Sequence, residues 1–197
     1  MQELINQVIQ WGEDRGIFAH STPTKQIMKS ASELGEIFDA FAKEDMEAAK
    51  LEIGDFMVTL ILFAKLKGLS SQFNYYSDNL ESNKLLSLSR LMADFSVLLH
   101  CQINEDATKN LTGYVENRIV IVCLVYGFDP KECLLLAYDK ISKRKTTMVN
   151  GVAEISLEEC FAHNNVSATL VVQPSGKVTE PLQSYKDIPT PALDRWK

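Results

Sequence analysis

Histidine and cysteine are scarce in this sequence, and their placement removes several metal chemistries at once. The three histidines, His20, His100 and His163, have Ile17, Val97 and Cys160 three residues before them, so the Glu-x-x-His repeat of ferritin-like di-iron bundles is absent. The four cysteines, Cys101, Cys123, Cys133 and Cys160, include no Cys-x-x-Cys pair. The first three sit in apolar helical patterns, where a reduced thiol acts as a small hydrophobe, so a zinc or redox motif is not expected. Positive charge is also short: 20 Lys and Arg against 26 Asp and Glu leave a net charge of −6, which argues against a nucleic-acid partner. No apolar run approaches the roughly 20 residues of a membrane span. The longest, Phe56 to Ala64, is interrupted by Thr59 and bounded by Asp55 and Lys65. The opening MQELINQVIQWGEDRG has no signal-peptide core, and the expectation is a cytoplasmic protein with no membrane partner.

What the chain has in quantity is apolar helical pattern. With 197 residues, 46% hydrophobic and 23% charged, one globular domain with a real core is expected. Its organising stretch is SELGEIFDAFAKEDMEAAKLEIGD, residues 32–55. Glu33/Glu36 and Glu52/Asp55 are each spaced i, i+3, which on a helix stacks two carboxylates on one face. Ile27, Ala31, Leu34, Phe38 and Phe41 recur at helical spacing and predict a helix over Lys25–Glu44 whose acids border the core. A second helix over Asp45–Leu66 starts polar and becomes apolar on nearly every side in FMVTLILFAKL, the pattern of a helix buried in a bundle. Folded as an antiparallel hairpin, the two bring four carboxylates together. At intermediate dielectric each close pair repels by roughly 1–4 kcal/mol, a cost that a shared divalent cation removes. Oxygen ligands without His or Cys suit Mg²⁺, with Mn²⁺ as a substitute. Acids at this spacing are also common on solvated helix faces, where they bind nothing.

The pattern ELGE, a short connection, EIGD and then an apolar helix resembles the MazG-like all-α nucleoside triphosphate pyrophosphohydrolases, whose relatives include dimeric dUTPases and dCTPases. Their signature is Glu-Glu-x-x-Glu, a spacer and Glu-x-x-Asp; here Ser32 stands in place of the first Glu. The resemblance implies an all-α, MazG-like helical bundle with a metal-binding helical hairpin, and Glu33, Glu36, Glu52 and Asp55 as Mg²⁺ ligands. It implies hydrolysis of a (d)NTP to the monophosphate and pyrophosphate, with Glu33 or Glu36 accepting a proton from the attacking water, and a homo-dimer or homo-tetramer. A pyrimidine-specific enzyme of dUTPase or dCTPase type is one alternative. A non-catalytic, cation-binding helical interaction module is another.

Around the hairpin, residues 3–15 have helical rhythm, and IFAHSTPTKQ reads as a loop in which Thr22 or Thr24 caps the metal helix. By resemblance this region contributes nucleotide contacts, with Trp11, His20, Lys25, Gln26 and Lys29 as candidates. Trp11 serves equally well as plain core. Further helices are expected over 84–103 and 108–126, the latter stopped by Gly127. Asp129-Pro130-Lys131-Glu132 is a helix start, with Asp as N-cap, Pro in the first turn and Glu three residues on. That helix is expected to run to the Asn150-Gly151 region. Lys140, Lys143, Arg144 and Lys145 near its end are either solvated charges complementing the helix dipole or phosphate ligands, Lys140 and Arg144 lying one turn apart. The stretch also resembles the closing segment of phage-type MazG-like members, which favours phosphate binding and adds Asn150 to the nucleotide contacts. A helical domain over 1–151 is followed by a tail over 152–197, irregular or with a β-hairpin around Pro174-Ser175-Gly176.

Overall fold

Side-chain caps at the helix starts divide the chain. The computed structural model describes residues 1–75, 83–101, 105–144, 146–149 and 152–155. Within them the order is α1 (Gln2–Asp14), α2 (Ile17–His20), α3 (Pro23–Ala42), α4 (Met46–Leu66), α5 (Lys84–His100), α6 (Glu105–Tyr126) and α7 (Pro130–Lys143), then strands β1 (Thr146–Val149) and β2 (Val152–Ile155). The protein is thus mostly helical. Thr22 accepts from the Lys25 N–H at 3.2 Å and opens α3, Asp45 accepts from Ala48 at 3.0 Å and opens α4, and Asp129 accepts from Lys131 at 2.8 Å and opens α7. Each cap satisfies a backbone donor that the helix itself leaves unpaired. Gly127, at φ 77°, ends α6 in the left-handed region that glycine enters without strain.

Helix α4 is the centre. Ile53, Phe56, Met57, Leu60 and Phe63 are fully buried, each side chain contributing about 1.5–3 kcal/mol through removal from water. Only Lys43, Glu44 and Asp45 connect α3 to α4, with Glu44 at φ 56°, so the two helices fold back antiparallel. Helix α7 packs on α4 through Cys133, Leu134, Ala137 and Ile141. Gly54 permits the contact: a Cβ there would stand 2.1 Å from the Cys133 carbonyl oxygen and 2.8 Å from the Ala137 Cβ. No helix among the described residues is long and apolar enough to cross a membrane.

Several expectations are corrected. Ile17–His20 forms a helical turn and not loop, because Ile17 is buried as an anchor. On α3 the buried stripe is Ile27, Leu34, Ile37 and Ala40, while Ala31, Phe38 and Phe41 are half-buried. The helix is therefore rotated, which carries Gln26, Ser30 and Glu33 into the core sector. Helix α7 ends at Lys143, since Arg144 is extended at φ −78°, ψ 139°. The β-branched Thr146, Thr147 and Val149 then pair with Val152–Ile155, in the register Thr146↔Ile155 to Val149↔Val152. Asn-Gly between two such runs favours a hairpin over a continued helix. The chain divides into two compact units, the first spanning Met1–Ser156. The hairpin expected around Pro174-Ser175-Gly176 lies outside the described residues, as does Cys160.

Candidate metal centre

The α3–α4 hairpin brings Glu33, Glu36 and Glu52 together, with one carboxylate oxygen of each lying within 4.8 Å of the others. Glu33 is only 6% exposed, Glu36 is exposed and Glu52 is half-buried. Asp55, one turn beyond Glu52, is turned to Lys140 from α7, whose Nζ donates to Asp55 Oδ2 at 2.6 Å. On the α3 side Lys29 Nζ holds Glu33 Oε1 at 2.5 Å. Two ammonium groups thus claim two acids, and neither Glu36 nor Glu52 has an ion-pair partner among the described residues. Moreover, Glu52 Oε2 is sealed from solvent with no hydrogen-bond partner.

The electrostatics follow. Burial, opposed by Lys140 and reinforced by Asp55, Glu36 and Glu33, pushes the Glu52 carboxyl up to about 7. Burial also raises Glu33, against the hydrogen bond and charge of Lys29. Lys29 is lowered by burial but raised overall by its bond to Glu33 and by the charges of Glu33, Glu36 and Asp55. These residues fit a hard divalent cation. Adjacent oxygens of an octahedral Mg²⁺ stand about 3.0 Å apart and opposite ones about 4.2 Å, so three oxygens mutually within 4.8 Å would have to draw together to hold one ion.

The other candidates divide. Lys140 joins the centre; Lys143 is exposed on α7. Arg144 has left the helix, and its backbone carbonyl accepts from Arg15 Nη2 at 2.9 Å, so Lys140 and Arg144 do not share a helical face as expected. Lys145 and Asn150 lie outside the described residues. Gln26 is buried and donates from Nε2 to Ser21 Oγ at 2.9 Å, on the α3 sector that leads to Lys29 and Glu33. Trp11 lines a separate cavity of about 460 Å³ with Arg15, Tyr138 and Ser142. Tyr138 and Lys140 point about 200° apart around α7, which sets Trp11 away from the acids. The pattern places Lys29 beside Glu33 at i, i+4, and the structure adds the role of Gly54, which stands inside Glu-x-x-Asp and lets α7 approach.

No protein-family model matches the chain, and no solved structure matches it. Over 71 residues it is 38% identical to the "uncharacterized 18.2 kDa protein in rep-hol intergenic region" of Haemophilus phage HP1 (strain HP1c1). That match covers 36% of this chain and 44% of the phage protein. Part of the chain is thus similar to a phage protein whose name states a genome position and no activity.

Proposed function

We propose that this protein is a metal-dependent nucleoside triphosphate pyrophosphohydrolase of MazG-like type, cleaving a (d)NTP with water to the monophosphate and pyrophosphate. The observation that carries the reading is the convergence of Glu33, Glu36 and Glu52 from two helices, with a buried oxygen of Glu52 that has no hydrogen-bond partner. Bound by these three with Asp55 beside them, Mg²⁺ would neutralise the triphosphate and polarise the attacked phosphorus. Glu36, exposed and held by no lysine, accepts the proton of the attacking water. Glu33, buried and paired to Lys29, serves as a ligand. Lys29 pairs with Glu33 and Lys140 with Asp55, and each can exchange its carboxylate for a phosphate oxygen. Self-association fits the surface of α5, where Leu85 and Met92, two turns apart on one face, are 74% and 41% exposed.

The test is pyrophosphate release from the eight common ribo- and deoxyribonucleoside triphosphates, with Mg²⁺ and with EDTA. Release only with Mg²⁺ supports the proposal. Hydrolysis confined to pyrimidines selects the dUTPase or dCTPase type, and no release from any nucleotide refutes the enzyme reading.

A further inference from the structure

Helix α5 has a core side and an outer side that its own bundle leaves open. Leu88, Leu91, Phe95 and Leu98 are buried, while on the outer side Leu85, Leu86, Met92 and Val97 are 74%, 38%, 41% and 47% exposed. Between Leu85 and Met92 on one flank and Leu86 and Val97 on the other run Ser89, Ala93 and Ser96, all exposed, so small residues floor a shallow groove with large side chains along both edges. Single exposed hydrophobics are ordinary, but four on one face over three turns mark an interaction surface. From Leu85 to Val97 only Arg90 and Asp94 carry charge. Arg90 lies at the edge of this face, and Asp94 is paired to Arg118 at 2.9 Å. In a chain of net charge −6, a face with no unpaired acid escapes the self-repulsion that the net charge imposes.

The serines are an independent sign. Ser89 Oγ donates to the Leu86 carbonyl at 3.0 Å, and Ser96 Oγ donates to the Met92 carbonyl at 2.8 Å. Both hydroxyl protons are committed within the helix, so the face can lose its water without stranding a donor. The lysines and glutamates that ordinarily solvate a helix exterior would forbid this.

We infer that α5 pairs with the α5 of a second copy of this chain, antiparallel about a two-fold axis, each Leu85 lying over Ser96 and each Met92 over Ser89 of the other copy. Leu85, Ser89, Met92 and Ser96 are spaced four, three and four apart, the repeat of a left-handed helix pair crossing at about 20°. Reversed, the series reads Ser, Met, Ser, Leu, so antiparallel pairing sets a large side chain against a serine at all four levels. Leu86 then falls beside Val97 of the other copy at each end of the seam. A parallel pair would stack Leu85 on Leu85 and Met92 on Met92 and leave serine facing serine, alternately crowded and empty. Antiparallel helices also set the positive end of one dipole beside the negative end of the other. The fit of the face to its own reverse selects a second copy over an unrelated helix, because an isologous interface requires a self-complementary patch. A single-helix seam about 18 Å long buries less than the roughly 800 Å² per partner of a standard interface, so the pair is weak and exchanges with monomer at micromolar concentration. It needs neither metal nor nucleotide and stands apart from the pyrophosphohydrolase reading.

Sedimentation velocity of the full chain tests it, over about 1 to 100 µM, in EDTA and with a thiol reductant so that no dimer is linked through cysteine. Wild type should pass from monomer to dimer across this range with no larger species. Met92→Glu puts a charge into the seam and should weaken dimerisation about tenfold or more. Ser89→Leu is the decisive variant. It adds apolar surface, which would tighten a non-specific patch, yet it fills the space that Met92 of the other copy occupies, so it too should weaken the dimer about tenfold. Both positions are exposed, and melting temperatures of the dilute variants should stay within about 2 °C of wild type. The inference is overturned if wild type stays monomeric up to about 100 µM or forms larger assemblies, if Met92→Glu dimerises like wild type, or if Ser89→Leu dimerises as tightly as wild type or more so.

Discussion

Replacing Glu52 with Gln should make the metal-free protein more stable at pH 8 and leave it unchanged at pH 5. In the folded state burial and the neighbouring acids lift this carboxyl from its ordinary 4.5 to about 7, so the native protein holds the proton more tightly than the unfolded chain does. Stability is then full below about 4.5 and declines as pH rises through 7. The gap corresponds to at most about 3 kcal/mol. Because the side chain is half-buried and solvent screens it, about 1–2 kcal/mol is the effect to expect. For a chain of 197 residues, 1 kcal/mol moves the melting temperature by roughly 2–4 °C. Thermal melts in EDTA should therefore place Glu52→Gln about 2–8 °C above wild type at pH 8, with the difference closing towards pH 5. Adding Mn²⁺ should raise the wild-type midpoint by mass action and leave the variant nearly unmoved. A variant that melts below wild type at pH 8, or that gains as much from Mn²⁺, would refute both the crowding argument and the ligand assignment.

Glu36→Gln should abolish pyrophosphate release while the EDTA-treated protein melts at or slightly above wild type; a lower midpoint with surviving turnover would make this carboxylate structural. Lys140→Ala should raise KM for the triphosphate several-fold with the fold intact by circular dichroism, and Arg144→Ala, beyond the helix end, should do so less; unchanged steady-state kinetics in both would remove phosphate binding from α7. Gly54→Ala should destabilise the protein by about 1–3 kcal/mol in chemical denaturation, despite the better helix propensity of alanine, because its Cβ would stand 2.1 Å from the Cys133 carbonyl oxygen; a neutral result would mean that α4 and α7 separate at little cost.

How much of this was legible depends on whether a feature is local. The acid pairs and the caps at Thr22 and Asp129 lie within a few residues of what they act on, and periodicity or hydrogen-bond chemistry reveals them. The rotation of α3 does not announce itself, since Ala31, Phe38 and Phe41 satisfy helical spacing as well as Ile27, Leu34 and Ile37 do. Which sector is buried depends on the helix it meets. Lys140 and Asp55 are 85 residues apart, and only the close α4–α7 approach at Gly54 joins them. At the end of α7, Lys143, Arg144 and Lys145 are good helix formers, so periodicity ran on where Thr146, Thr147 and the Asn-Gly dipeptide should have stopped it. The departures from ordinary helix rules are instructive: acids on core sectors at Glu33 and Glu116, and glycines inside helices at Gly12, Gly35, Gly54 and Gly113. A stable bundle gains nothing from a buried carboxylate oxygen without a partner, and the apolar core of α4 is what offsets that cost at Glu52. Of these, Glu33, Gly35 and Gly54 lie on the α3–α4 hairpin that carries the acid cluster, while Gly12 and Gly54 are the places where a Cβ would collide with a neighbouring helix.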